Sequence, residues 1–307
     1  MPPTNQPPNF QTIIRPGDQS LRDANGKITQ FGTFQITSDR AQLQAETGVI
    51  MGVYGDGGNG KTTFACSLAD RTLNPEGYDL PVGVLDSMAG IKSVANLVGP
   101  DLQRIPIRSV ADLEQFVRVA RANPRQTFPW KTLVMDNVSD LVPKALRDQG
   151  FHNQSVPGGG MTSSQPDFNA MTTRIYSVLS DLCDLAPDYG VNIILLFWEL
   201  TEKSEAGNIT GYKADLTPTL ARKVKGMLDY IGYLTVLNNP PHWTRKLDLS
   251  PNPELDAKTH TVRGEPASRI PFELYNPTLP AIFDTIKRGV PFPSDKFQRP
   301  KNPLTQK

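Results

Sequence analysis

The stretch GVIMGVYGDGGNGKTTFACSLADRTL, residues 48–73, decides the fold. Its opening run, GVIMGVY (48–54), is short and apolar, the mark of a strand covered on both faces. From Lys61 the pattern turns helical, through KTTFACSLADRTL (61–73). Between them GDGGNGKT, Gly55 to Thr62, matches G-x-x-x-x-G-K-S/T. The chemistry explains the spacing. Glycines permit backbone angles that turn successive N–H groups toward one point. Gly60 lets the chain approach a phosphate with no Cβ in the way. Lys61 reaches the terminal phosphates, and the Thr62 hydroxyl suits Mg²⁺. A helix opening at Lys61 adds the positive end of its dipole. A glycine-rich turn in a chain of this length matches by chance at roughly the one-in-a-hundred level. The flanking strand and helix lower that. Nucleotide binding is therefore expected, over Gly55, Asp56, Gly57, Gly58, Asn59, Gly60, Lys61, Thr62 and Thr63.

Working outward, strands alternate with helices. PVGVLD (81–86), TLVMD (132–136) and NIILLFW (192–198) read as further buried strands. Ser109 opens a helix with Val110, Leu113, Phe116, Val117 and Ala120 at helical spacing. Phe168, Met171, Ile175, Val178, Leu182 and Leu185 form the stripe of a longer one. Thr217-Pro218 starts another, as N-cap and first residue. Its apolar face holds Leu220, Val224, Met227 and Leu228, while Arg222, Lys223 and Lys225 point away. YIGYLTVL (230–237) and WTRKLDLS (243–250) read as two strands around the turn NNPP, expected to pair antiparallel. A last short helix carries Leu279, Ile282, Phe283 and Ile286 and stops at Gly289. The expected fold is α/β: a mostly parallel sheet flanked by helices, with a C-terminal antiparallel hairpin. In such a sheet an acid ending a second strand near the phosphate loop holds Mg²⁺ through water. Asp136, closing TLVMD, is the candidate.

Composition narrows the class. The 307 residues are 38% hydrophobic and 21% charged, which supports a sizeable core. Net charge is +1, so no global basic field announces nucleic acid. The neutral total hides a division, because 287–307 holds six basic residues and one acid. Three regions are expected: an arm over 1–47 with weak strands at 10–14 and 33–37, a core over 48–286, and a basic, proline-rich tail over 287–307. Cys66 and Cys183 read as reduced core residues. With no long apolar run and no basic-apolar leader, the expected location is the cytoplasm. His152, His242 and His260 lack partners at zinc-ligand spacing.

Residues 48–263 resemble the phage-type RecA-like P-loop proteins, a group within the AAA-type ATPases that includes single-strand-annealing-associated recombinases. The likeness rests on VYGDGGNGKTTFA, VGVLDSMAG, TLVMDNVSDL, and LTPTLARKVKGMLDYIGYLTV with WTRKLDL. It implies ATP and Mg²⁺ as ligands, side-by-side homo-oligomers in a ring or filament, and single-stranded DNA as the polymer partner. A phage-encoded chain would work in the host cytoplasm. By position, Lys61 and Thr62 hold phosphate and Mg²⁺, with Asp136 as the second-strand acid. Arg222, Lys223 and Lys225 would lie near a subunit boundary, within reach of a neighbour's γ-phosphate. Loops at 150–167 and 200–214 would face DNA, with Lys203, Lys213 and His152 contributing. The tail residues Lys287, Arg288, Lys296, Arg299, Lys301 and Lys307, interleaved with Phe292 and Phe297, offer a second basic element.

Two positions depart from the family. Its D-x-E pattern at the end of the second strand becomes Asp86-Ser87-Met88, so methionine stands where a glutamate orients water. The fourth strand ends in Phe197-Trp198-Glu199 instead of a polar His or Gln. Asp86 and Glu199 are thus the candidate substitute acids, and slow hydrolysis is expected. Two other readings stand beside the recombination factor. One is a nucleotide-switched assembly or regulatory ATPase with little turnover. The other is a small-molecule P-loop kinase, which would want an arginine-rich lid that the sequence does not display.

Overall fold

The computed structural model describes residues 20–22, 28–31, 34–35, 47–148, 165–239, 242–251, 254–259, 270–293 and 296–298. The chain divides into two compact units, 1–46 and 47–307. In the first, β1 (Ser20–Arg22), β2 (Ile28–Phe31) and β3 (Phe34–Gln35) form an antiparallel sheet in that order. The strand expected at 10–14 lies outside the described residues, and that at 33–37 contributes only β3.

The second unit is built on a nine-stranded mixed sheet. The strand after the opening apolar run is β4 (Ile50–Gly55). It lies between β8 (Asn192–Lys203) and β10 (Tyr230–Asn239), parallel to both. Beyond β8 come β7 (Thr132–Asp136), β5 (Val82–Asp86) and β6 (Leu102–Pro106), all parallel. Beyond β10 come β11 (His242–Asp248) and β12 (Glu273–Tyr275), both antiparallel. Every residue of β5 and β7 is buried, as helices on both faces require. The phosphate-loop strand therefore sits inside the sheet, with β8 on one side and β10 on the other.

Two apolar layers cover the sheet. On one face pack α2 (Val110–Ala122), α3 (Leu141–Asp148), α4 (Gln165–Cys183), α5 (Leu185–Tyr189) and α6 (Pro218–Met227). On the other lie α1 (Lys61–Ala65) and α7 (Leu279–Arg288). Helix α2 starts at a capping box. The Asp112 N–H donates to Ser109 Oγ, and the Ser109 N–H donates to the Asp112 carboxylate. No helix among the described residues is long and apolar enough to cross a membrane.

Local structure corrects several expectations. The helix expected over 61–73 is α-helical only to Ala65, followed by a 3₁₀ turn over Cys66–Ala69. Asp70 ends it, because its carboxylate accepts from the backbone N–H and the hydroxyl of Thr72. Thr217 precedes α6 but makes no cap bond, and its hydroxyl is buried without a partner among the described residues. The segment 200–214 is not a loop. It continues β8 to Lys203 and returns as β9 (Ile209–Ala214), an antiparallel hairpin. Most of the 150–167 loop, with His152, lies outside the described residues, and α4 begins at Gln165.

The start of the basic tail is built into the fold. Lys287 Nζ and Arg288 Nη1 reach the two carboxylate oxygens of Asp79 at 2.6 and 2.9 Å. Phe292 and Phe297 meet each other, ring centres 5.2 Å apart, and pack on the core. Arg299, Lys301 and Lys307 lie outside the described residues.

Candidate functional site

Parallel strands bring their carboxyl ends to one edge, where α/β sheets bind ligands. The register puts Gly55 opposite Trp198, and Asp86 opposite Asp136. Four of the expected site segments thus converge there: the phosphate loop, Asp86, Asp136 and Glu199.

The loop follows from its glycines. Gly60 is the N-cap of α1 at φ +85°, and its carbonyl accepts the first helical bond, from the Phe64 N–H at 2.9 Å. A side chain there would be strained, and a Cβ would lie 2.3 Å from Arg245 Nε. Lys61 is buried and folds back on the loop, donating to the carbonyls of Gly55 (2.7 Å) and Asp56 (2.9 Å). Burial pulls its ammonium below the usual lysine range, against the attraction of Asp136, Asp56 and Glu199. Asp56 accepts from the Gly57 N–H at 2.7 Å, and the Asn59 amide donates to the Leu234 carbonyl at 3.0 Å. Gly57 and Gly58 are exposed at the turn, as is Thr63 on α1.

Thr62 and Asp136 meet directly. The Thr62 hydroxyl donates to Asp136 Oδ2 at 2.7 Å. Asp136 is 7% exposed. Burial raises its carboxyl above the usual aspartate range, and the charge of Asp86 adds to that, while Thr62 and Lys61 oppose it. Gly90 makes room for it, since a Cβ there would stand 2.4 Å from Asp136 Oδ2. Asn137 and Ser139 lock the strand ends together. Asn137 Oδ1 accepts from the Ser139 N–H (2.7 Å), and Ser139 Oγ accepts from the Trp198 N–H (3.0 Å).

The two substitute acids differ. Asp86 is fully buried and takes Arg104 Nε at 2.6 Å and the Gly90 N–H at 3.0 Å. Met88, two residues on, is 51% exposed. Glu199 is half-buried, and its two oxygens accept from the hydroxyls of Tyr233 (2.9 Å) and Thr201 (3.1 Å). The residue before it, Trp198, stands opposite Gly55 at the start of the phosphate loop.

Of the basic residues on α6, Lys225 pairs with Asp256 and Lys223 lies 4.7 Å from the centre of the Tyr176 ring. Arg222 is exposed. On the hairpin, Lys213 pairs with Glu202 at 2.8 Å and Lys203 is exposed.

Sequence reasoning missed four side chains. Arg104 sits on a strand it did not recognise. Tyr233 and Arg245 belong to strands it did recognise, but only the register turns them toward Glu199 and the loop. Arg245 Nε donates to the Asn59 carbonyl at 3.2 Å. Lys144, buried and paired with Asp140, donates to the Ser87 carbonyl at 3.0 Å. Its only sequence signal was the i, i+4 spacing from Asp140.

Comparison with known proteins matches a family model and many solved structures. A family model described as an AAA domain matches residues 47–261. Among solved structures, that of the RadB recombinase aligns with 16% identity and a TM-score of 0.42, over 75% of this chain and 87% of its own. No curated protein matches in sequence.

Proposed function

The chain belongs to the AAA domain family, and on that premise we propose that it is a phage-type RecA-like protein that binds ATP with Mg²⁺ and acts on single-stranded DNA in recombination, annealing or repair. The observation that carries the reading is the Thr62–Asp136 bond beside Lys61, at the common carboxyl edge of β4 and β7. A hydroxyl and a carboxylate meeting there are the hard oxygen donors that Mg²⁺ prefers. The loop fits a phosphate as well, because Gly60 turns at φ +85° to open α1 at Lys61, where backbone N–H groups and the ammonium gather. Thr62 would hold the ion directly and Asp136 through water. Bound Mg²⁺ neutralises phosphate charge. The backbone N–H groups of the glycine turn and the Lys61 ammonium bind the phosphates. Lys61 exchanges its two carbonyl partners for them.

Hydrolysis then needs an acceptor to orient water. Asp86 is committed to Arg104 and the Gly90 N–H, so Glu199 is our choice. Single-stranded DNA rests on the family resemblance and on the β8–β9 hairpin, whose exposed Leu200, Ile209 and Lys203 offer apolar and cationic contacts. Assembly of like copies rests on exposed Arg222, which is available to a neighbour's phosphates. The exposed Met88 favours slow turnover, and keeps a nucleotide-switched assembly ATPase as the second reading.

Calorimetry with Mg·ATP tests the nucleotide. Lys61→Ala should lose most affinity while the fold survives, and equal binding by both proteins would sink the assignment. Gel shift tests the polymer. Binding of single-stranded DNA should strengthen with ATP and weaken with salt, at a slope of about −0.7 per phosphate contact. No shift at low salt with ATP present leaves the assembly reading.

A further inference from the structure

Among the described residues two cationic side chains are buried, Lys61 in the phosphate loop and Lys144 on α3. Lys144 pairs with Asp140, one helical turn back along the chain. A buried pair of this kind adds little stability, because desolvation offsets the attraction. What the pair does is keep a neutralised lysine inside the protein. Among the described residues, the bond by which that lysine leaves its own segment runs from Nζ to the Ser87 carbonyl, at 3.0 Å.

Ser87 follows Asp86 at the end of β5 and grips the end of β7 at three points. Its N–H donates to the Asp136 carbonyl (2.7 Å), its Oγ accepts from the Asn137 N–H (2.9 Å), and its hydroxyl donates to the Asn137 carbonyl (3.2 Å). Ser87 thus brackets the peptide that follows Asp136. Three residues on, Gly90 leaves the room that Asp136 Oδ2 occupies, where a Cβ would stand 2.4 Å away. Between them Ala89 is held at φ +61°, a left-handed backbone that alanine adopts only when its surroundings impose it. Segment 87–90 therefore needs holding at both ends. The Gly90 N–H on Asp86 holds one end, and Lys144 on Ser87 holds the other. Resting on the nucleotide reading above, we infer that Lys144 is a positioning residue for the metal-binding acid. It fixes Ser87, and through Ser87 the segment 87–90, in the arrangement that turns the Asp136 carboxylate to Thr62. It acts through the backbone carbonyl of Ser87 and touches no ligand itself.

The test uses the full chain and two variants. Lys144→Met alone would leave the Asp140 charge buried and unpaired. Lys144→Met combined with Asp140→Ala removes both charges, and the flexible methionine fills the gap. Calorimetry measures ATP affinity in EDTA and in Mg²⁺. The double variant should match wild type in EDTA and lose about tenfold of the affinity that Mg²⁺ adds, the low end for losing an outer partner of a metal ligand. Ser87→Ala, at a half-buried position, deletes the hydroxyl that brackets Asn137 and should lose a similar factor. The ligand-free protein gives a second readout. Amide exchange at Ser87 and Asn137 should quicken about tenfold in the double variant, while its melting midpoint stays at the wild-type value. A merely structural pair would move the midpoint and leave amide exchange and the Mg²⁺ gain alone. A double variant that keeps the full Mg²⁺ gain would overturn the role of Lys144. So would a Ser87→Ala variant that keeps it, which decides the matter even where the double variant does not fold. If Mg²⁺ adds nothing to the ATP affinity of wild type, the metal reading itself has failed, and this role with it.

Discussion

The ends of β5 and β8 each present a carboxylate to the same edge of the sheet, yet they are built for different work. Asp86, on β5, has no exposed side-chain surface and is held by a guanidinium and a backbone N–H. Glu199, on β8, is half-buried and, among the described residues, is held by two hydroxyls. A buried carboxylate whose lone pairs are filled by a cation and an amide is a structural clamp. One that rests on neutral donors, open on one side, keeps room for a water. The comparison teaches that strand-end position alone does not mark the catalytic acid, because the partners decide.

The comparison breaks most readily at Glu199. Glu199→Gln keeps size and the capacity to accept from Tyr233, but removes the charge. Steady-state turnover at saturating ATP should fall by about 10²–10⁴-fold, the usual worth of a positioned general base. ATP affinity should hold. A larger loss of turnover in Asp86→Asn than in Glu199→Gln would reverse the two roles.

Asp86 should speak through stability instead. Asp86→Ala leaves the Gly90 N–H without its acceptor. Arg104 is 46% exposed on its side chain, so water takes up much of its charge. The expected cost is about 1–3 kcal/mol. Denaturant unfolding checks it, with unchanged stability as the contrary result. Asp86 also borders Gly90, which leaves space for Asp136, so nucleotide affinity should fall less than stability does.

The central parallel strands, β4, β5, β7 and β8, were legible because they are buried on both faces and so read as apolar runs. In the sheet of the second unit three strands were not. β6 exposes Gln103 and Arg104 and is an edge, β12 is three residues long, and β9 carries the polar ITGYKA. Gly55–Thr62 and Asp136 were legible because local spacing and a strand end specify them. Arg104, Tyr233 and Arg245 were not, since each acts across a register that only the folded sheet sets. The basic tail misled for the same reason. The partner of Lys287 is Asp79, 208 residues away, and no count of charges finds it.

Asp136 sharpens the comparison from the side of pH. Its native carboxyl is raised by burial, so the ligand-free fold holds that proton to higher pH than the unfolded chain does. The resulting stability is fully present below the unfolded value, about 4, and is lost as pH rises through the native one. Asp136→Asn removes that loss and still accepts from Thr62. At neutral pH the ligand-free variant should melt higher than wild type, because it carries no buried charge there. At pH below about 4 the difference should vanish. Mg·ATP should raise the wild-type midpoint much more than that of the variant. A variant that melts lower than wild type at neutral pH, free of ligand, would mean that Asp136 is a structural clamp like Asp86.

The smallest expected effect tests how Glu199 is held. Tyr233 lies in a stack, with ring centres 5.0 Å from Tyr54 and 5.2 Å from Tyr212. Burial, reinforced by Glu199, pushes its hydroxyl above the usual tyrosine range, so it stays a donor at working pH. Tyr233→Phe keeps the ring in the stack and deletes only the bond to Glu199. A neutral donor of this kind contributes about 0.5–1.5 kcal/mol, so turnover should fall by about 2–10-fold with KM for ATP unchanged. The split between kcat and KM matters. A purely structural tyrosine would lower the melting midpoint and leave turnover per folded molecule intact. A positioning tyrosine does the opposite. In the Glu199→Gln background, Tyr233→Phe should cost nothing further, because the group it orients has already lost its function. An undiminished penalty in the double variant would show that Tyr233 acts elsewhere, and the neutral-donor account of the β8 end would have to be given up.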